Sequence, residues 1–371
     1  MTSVFLSRHI RSFKTSLKFR LVLGWVAAMA GLLFIGPVLI IGAPFLLVSL
    51  LTRRLASHWE PRHRSWNDFI EFKPTVGWQP KPNVRAYHLS DDVYYTSTDE
   101  NGWRGRVRLP DSDVVVLGDS FVWGYGIDDT HFFADLDQSI RMKAIGACGY
   151  SMVQEYLWMK CLGPQLTGKL VVWCIYLGND LYDNLVPNLG KYRRPWVRQK
   201  NSDGEWVIET SHVNPTGWPS AFEHHVDGID YYQKLADLCS KTVLAGRAYS
   251  ACSWLLQQGF ATCRAQDARL AVITIPEVSQ LSEDGTRFLL SRGGDPQSFN
   301  AGYPDEQIGR LCQELDIPFI AGKDHFHVRH YRKRDCHWNE SGHRQFSEIV
   351  NNLSTDVQHD GISNSERVAT S

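Results

Sequence analysis

Residues 113–120 read DVVVLGDS. Val114 to Leu117 form an unbroken apolar run, rich in β-branched side chains and closed by Gly118. A run so short, without polar alternation, is a strand buried on both faces, as in a parallel sheet covered by helices. Runs of the same kind recur downstream: MKAIGA (142–147), LVVWCIYLG (170–178), RLAVITIP (269–276) and IPFIAG (317–322). Helical stretches at 151–162, 229–243, 248–266 and 304–315 separate them. This alternation predicts a three-layer α/β/α sandwich around a parallel sheet with flavodoxin-like strand order. Ligands in such sheets bind at the carboxyl ends of the strands, near the point where the strand order reverses.

The residues at those strand ends carry chemistry. Ser120 follows the first strand at the mouth of a helix, so its hydroxyl and its own N–H face the same space. One residue can then supply both a nucleophile and an oxyanion donor. The second strand leads to Gly149, where the missing Cβ lets backbone approach a ligand closely. The third ends in Gly178-Asn179-Asp180, and the Asn179 amide can donate to a developing oxyanion. Near the end of the chain, Asp335-Cys336-His337 precedes a final helix. An Asp two residues before a His can fix the imidazole tautomer and stabilise its protonated form. Each residue also has a plainer reading: Ser120 as a helix cap, Gly149 as a turn residue, Asn179 as an Asx turn. The order Ser, Gly, Asn, Asp/His, each at a strand end or in the loop before the last helix, is what carries weight.

In that order the chain resembles the SGNH (GDSL-like) hydrolase superfamily, in its membrane-anchored bacterial form. VVVLGDSFVWGYGIDD is similar to the first block of that family, Gly149 in IGACGYS to its second-block glycine, and Asn179 in YLGNDLYDN to its third-block asparagine. Asp335 and His337 in DCHWNESGH match its fifth block. The resemblance covers about residues 95–353, including the lead-in TSTDENGWRG. It implies a flavodoxin-like fold and ester chemistry on small or carbohydrate-borne acyl groups. The catalytic set would be Ser120, His337 and Asp335, with an oxyanion hole of Ser120, Gly149 and Asn179 and with no cofactor. Three positions depart from the family pattern. Ala144 stands where an asparagine is usual, Gly178 is displaced by one position, and the fifth block is Asp-x-His. The first two bear on how firmly the oxyanion loop is held.

The composition, 43% hydrophobic and 21% charged with a formal net charge of −1, fits a folded chain with a sizeable core. Nothing in the overall charge points to nucleic acid. The eight cysteines show no C-x-x-C pair or metal-ligand spacing and read as buried thiols. His325, His327, His330 and His343 raise a metal reading, but they mix with Arg329, Arg332, Lys333 and Arg334, and the expectation is that no metal binds. No G-x-G-x-x-G follows the first strand, which argues against a dinucleotide. A rival from another class is a non-catalytic binding or scaffold protein of the same fold, against which the joint presence of Ser120, Asn179, Asp335 and His337 counts.

Residues 1–20 form a basic flank (Arg8, Arg11, Lys14, Lys18, Arg20), followed by an uncharged apolar segment at 21–51. As a helix that segment is about 46 Å long, enough to cross a bilayer. The basic flank favours a cytoplasmic N-terminus, although Arg53, Arg54, Arg62 and Arg64 make the far flank basic too. Gly36-Pro37 and Gly42-Ala43-Pro44 fit either a kinked span or a shallow re-entrant hairpin, and a single pass with an extracytoplasmic, periplasmic catalytic domain is the preferred reading. A connector at 52–110 is expected to pack on the main domain, 111–354. That domain carries an insertion at 181–228, either a cap over the site or a solvated excursion, with a hairpin turning at 202–204. Residues 355–371 are polar and aperiodic, and a disordered tail is expected. The expected partners are a membrane and an acyl ester on an envelope glycan or a lipid-linked molecule.

Overall fold

The computed structural model describes residues 24, 25, 29, 63, 64, 66–89, 93–137, 139–189, 192–200, 204–211, 213 and 231–369. The chain divides into Met1–Arg62 and His63–Ser371, and the second unit holds the sheet and its helices. The expected membrane segment at 21–51 lies outside the described residues but for Gly24, Trp25 and Met29. Among the described residues no helix is long and apolar enough to cross a membrane.

The connector folds first into two antiparallel ladders, Ile70–Lys73 (β1) with Gly77–Pro80 (β2), and Arg85–Leu89 (β3) with Val93–Ser97 (β4). Val114–Gly118 (β5) then enters the core and delivers the short helix Ser120–Trp123 (α1). Met142–Gly146 (β6), helix Met152–Leu162 (α2), Leu170–Tyr176 (β7) and the single turn Asp180–Asp183 (α3) come next. The insertion contributes two hairpins, Asn188–Leu189 (β8) with Tyr192–Arg193 (β9), and Trp196–Gln199 (β10) with Trp206–Glu209 (β11). The chain continues through Tyr231–Leu238 (α4), Val243–Ala265 (α5), Arg269–Ile275 (β12), Glu283–Arg292 (α6), Tyr303–Glu314 (α7), Phe319–Ile320 (β13) and Glu340–Ala369 (α8).

The five central strands lie in the order β13-β12-β7-β5-β6, every pair parallel. This is the flavodoxin-like order, with its reversal between β5 and β7, and the expected α/β sandwich takes shape around it. Alternation along β5 explains the layers. Val115 and Leu117 pack with Val153 and Met159 of α2 and with Leu255 of α5, whereas Val114 and Val116 pack with Phe121, Phe346 and Val350 on the opposite face. Burying both faces removes any reason for polar alternation in the strands.

Three boundaries differ from the expectation. The helical stretch expected at 229–243 ends at Leu238, because Thr242 starts the next helix; its Oγ1 accepts from Ala245 N at 3.1 Å. Helix α6 has no counterpart among the helices expected from the sequence; it is largely exposed and buries Leu289. The tail expected to be disordered is helical through Ala369. Phe346, Ile349, Val350 and Leu353 fix the start of α8 on the sheet. No proline interrupts the chain beyond them, and each added residue gains a hydrogen bond.

Candidate active site at the carboxyl ends of β5, β6 and β7

Ser120, Gly149, Asn179, Asp335 and His337 line one cavity of about 460 Å³ at the carboxyl edge of the sheet. Five tyrosines, Tyr125, Tyr176, Tyr182, Tyr231 and Tyr232, form much of its wall. Such rings offer apolar faces and polar tips together.

Asp119 caps α1, its carboxylate accepting from Phe121 N at 2.9 Å, and this cap sets Ser120 at the head of the helix. The Ser120 Oγ lies 2.7 Å from His337 Nε2 and donates to Asp119 Oδ2 at 3.2 Å. The shorter contact goes to the imidazole. On the other side of the ring, Nδ1 bonds Asp335 Oδ1, which also accepts the His337 backbone N–H at 2.9 Å. Arg332 Nη1 lies 3.8 Å from the second oxygen of Asp335. The imidazole is held between two rings, Phe121 at 4.9 Å and Tyr125 at 4.7 Å between centroids.

These contacts set the electrostatics. Burial alone would lower the His337 pKa, but the Cys336 sulfur and the hydrogen bond and charge of Asp335 outweigh it and raise it to about 10. Burial would raise Asp335; its hydrogen bonds to His337, the His337 charge and Arg332 instead bring it down to about 2. Asp119 is pushed up to about 6, chiefly by burial.

The segments around Gly149 and Asn179 are held by groups that no sequence motif marks. Ala144 is buried within β6, so no side chain there reaches the loop after it. The connector holds the loop instead: Trp78 Nε1 donates to Cys148 O at 3.1 Å, and Tyr150 Oη donates to Trp78 O at 2.7 Å. The Cys148 carbonyl and the Gly149 N–H share one trans peptide and point opposite ways, so binding the carbonyl aims the N–H away from Trp78. Gly149 has φ +73°, and a Cβ there would meet Leu189 Cδ2 at 2.3 Å. The displaced Gly178 has its own reason: a Cβ would fall 2.1 Å from Tyr231 Oη. Asn179 Nδ2 donates to Asp183 Oδ2 at 2.9 Å, four residues along the same turn. That i, i+4 spacing is the one signal in the sequence that points to Asp183.

The insertion divides into two roles. Val186, Asn188, Leu189 and Arg194 form part of the cavity wall. The second hairpin turns away, and Trp206 Nε1 bonds Ser250 Oγ on α5 at 3.1 Å. The histidines behind the metal reading do not converge. His343 is buried and stacked on Phe133, His325 and His327 are exposed, and His330 Nδ1 accepts from His327 N at 3.2 Å. Among the described residues, the His, Cys and carboxylate group close enough to share an ion is Asp335, Cys336 and His337 itself.

No family model and no curated protein sequence matches the chain. The solved structures similar to it include a member of the lipolytic G-D-S-L family from Veillonella parvula, 10% identical with a TM-score of 0.37, over 65% of this chain and 97% of that one. A carbohydrate acetylesterase family member from Sinorhizobium meliloti is 12% identical with a TM-score of 0.37, over 65% and 97%. A GDSL-like lipase from Bacteroides thetaiotaomicron is 12% identical with a TM-score of 0.36, over 66% and 88%.

Proposed function

We propose that this chain is a serine ester hydrolase or O-acyltransferase. One observation carries the reading: a serine hydroxyl at a helix head, 2.7 Å from an imidazole whose other nitrogen is bonded to a carboxylate, at the edge of an open cavity. His337, oriented by Asp335, takes the Ser120 proton as Oγ attacks an ester carbonyl. The N–H groups of Ser120 and Gly149 and the amide of Asn179 receive the negative charge on the carbonyl oxygen. The protonated His337 then gives its proton to the departing alkoxide, leaving an acyl group on Ser120. Water or a sugar hydroxyl, deprotonated in turn by His337, removes that acyl group and restores the serine.

The acceptor separates hydrolase from transferase. The tyrosine-lined wall suits an acylated sugar or a lipid-linked acyl group, and the apolar segment at 21–51 supports a substrate at a membrane, with the catalytic unit on the periplasmic side. A topology reporter fused after Ser371 tests the sidedness.

The test of the reaction is fluorophosphonate labelling of the full-length protein beside Ser120→Ala. Labelling of the wild type alone is the expected result. A folded wild type that stays unlabelled at alkaline pH would overturn the reading in favour of a binding protein of the same fold.

A further inference from the structure

Arg194 comes directly after β9 in the insertion, and its side chain is fully buried. Its Nη1 donates to Asp183 Oδ2 at 2.9 Å, and its Nη2 lies 2.9 Å from Asp183 Oδ1. The same Nη1 reaches the Gly149 carbonyl at 3.3 Å, and Nε reaches the Val186 carbonyl at 3.3 Å. Asp183 Oδ2 in turn accepts the Asn179 amide. The two oxyanion segments leave different strands, β6 and β7, and this one guanidinium touches both.

We infer that Arg194, acting through Asp183, is the positioning residue that sets the distance and orientation between the two donors of the oxyanion hole, Gly149 and Asn179. The inference rests on the serine acyl-transfer reading. Three physical points support it. A carboxylate accepts and never donates when ionised, so Asp183 fixes which end of the Asn179 amide is nitrogen and leaves its second N–H for the cavity. A guanidinium is a rigid planar fork: here Nη1 bonds both Asp183 and the Gly149 carbonyl, Nε bonds Val186 and Nη2 lies against the second carboxylate oxygen, an arrangement an ammonium cannot reproduce. A buried ion pair is also a poor source of net stability, because desolvation offsets its attraction, so orientation is the better account of its presence here.

The experiment is steady-state kinetics of the full-length protein on p-nitrophenyl acetate, with Ser120→Ala as control and with Arg194→Lys and Asp183→Asn as test variants. Each variant is first shown to melt cooperatively. The expected result is a fall in kcat of about 10²-fold with KM within about threefold, as for loss of one oxyanion donor. The pH midpoint of kcat/KM should stay at its wild-type position, because the triad is untouched. Binding of phenylboronic acid, which becomes a tetrahedral anion on the serine, should weaken more than tenfold. In an Asn179→Ala background, Arg194→Lys should cost less than it does alone, since the part of its effect that runs through Asp183 and that amide is already lost. Wild-type kcat in both variants, with Ser120 dependence intact, would overturn the clamp alone. Turnover that survives Ser120→Ala would overturn the underlying reading and the clamp with it.

Discussion

His337 Nε2 lies 2.7 Å from Ser120 Oγ, although 217 positions separate the two residues in the chain. The serine also has Asp119 Oδ2 within 3.2 Å, so its proton has two possible destinations. Distance favours the imidazole, and so does the demand on Asp119, whose carboxylate already accepts the Phe121 N–H that caps α1. His337→Ala should therefore lower kcat by more than roughly 10³-fold, leaving only what binding and the oxyanion hole supply. Asp119→Asn, which keeps the cap acceptor, should cost far less. Kinetics on a small soluble ester distinguish the two; equal losses would make Asp119 a participant in proton transfer.

The pH dependence has a definite sign. The neutral imidazole is the base, and His337 is raised to about 10, so activity should climb with pH from 7 toward 10 and not level off near 6.5. Asp335→Asn removes two of the causes that raise His337. It should shift the midpoint downward while lowering the rate about 10⁴-fold through the wrong tautomer. The same pair shapes stability. The raised His337 contributes below about pH 6.5 and loses that contribution as pH rises through 10. Asp335, lowered to about 2, contributes above about pH 3.9 and loses it as pH falls through 2. A pH–rate profile of kcat/KM that is flat above pH 7 would contradict this account of the imidazole.

The parallel strands are legible in the sequence because a strand buried on both faces needs a continuous apolar run, and Val114–Leu117 and Leu170–Tyr176 are such runs. Ser120, Gly149, Asn179, Asp335 and His337 are legible because each occupies a strand end or the loop before the last helix, and they line one cavity. Arg104 and Arg194 are not. A single charged residue in a connector or an insertion has no period and no partner at a fixed offset, and its meaning comes from being buried against groups remote in sequence. The same holds for Trp78, whose indole N–H meets a carbonyl 70 residues away. Ala144 stands out in the sequence as a departure from the family pattern, but the connector that holds the loop in place of an asparagine is a tertiary fact.

Asn179→Ala should reduce kcat by about 10²–10³-fold with little change in KM, since the amide is needed chiefly when charge develops on the carbonyl oxygen. The substitution also leaves Asp183 Oδ2 with one donor fewer, from Arg194. Asn179→Asp offers no donor at all when ionised and sets a second carboxylate against Asp183, so it should be worse than alanine. A KM effect that equals the kcat effect would instead assign Asn179 to ground-state binding.

Gly149→Ala tests the proposed role of the backbone after β6 in the oxyanion hole. Its φ of +73° disfavours any side chain by about 1–2 kcal/mol, and the new methyl would press on Leu189 Cδ2, which can yield because it is the end of a flexible side chain. The protein should fold with a slightly lower melting temperature while kcat drops by more than tenfold, because the peptide carrying the N–H must turn. Unchanged kcat would show that the Gly149 N–H is not a donor to the reacting oxygen.

Arg104 lies in the lead-in before β5, and its side chain is fully buried. Its Nη1 donates to Trp123 O at 3.1 Å and Gly124 O at 2.6 Å. Its Nη2 donates to Ile127 O at 3.0 Å and to Asp129 at 2.6 Å. Three of these partners are carbonyls at the end of α1 and in the turn beyond it, so one side chain satisfies the backbone directly after Ser120. Arg104→Met should strand those carbonyls and take the cation from Asp129, which keeps its bond from Ser97 Oγ at 2.6 Å. Asp129 is partly exposed, so the loss comes mainly from the three buried carbonyls, at about 1–3 kcal/mol for each left unsatisfied, enough to lower the melting temperature by several degrees. Arg104→Lys restores the charge but not the fork, and should recover only part of the loss. Because Tyr125, which packs on the His337 ring, sits in the same turn, the Met variant should also lose activity at temperatures where it is still folded. Circular dichroism melts run beside activity assays at each temperature separate the two effects. A variant that melts like the wild type would show that water satisfies those carbonyls as well as the guanidinium does.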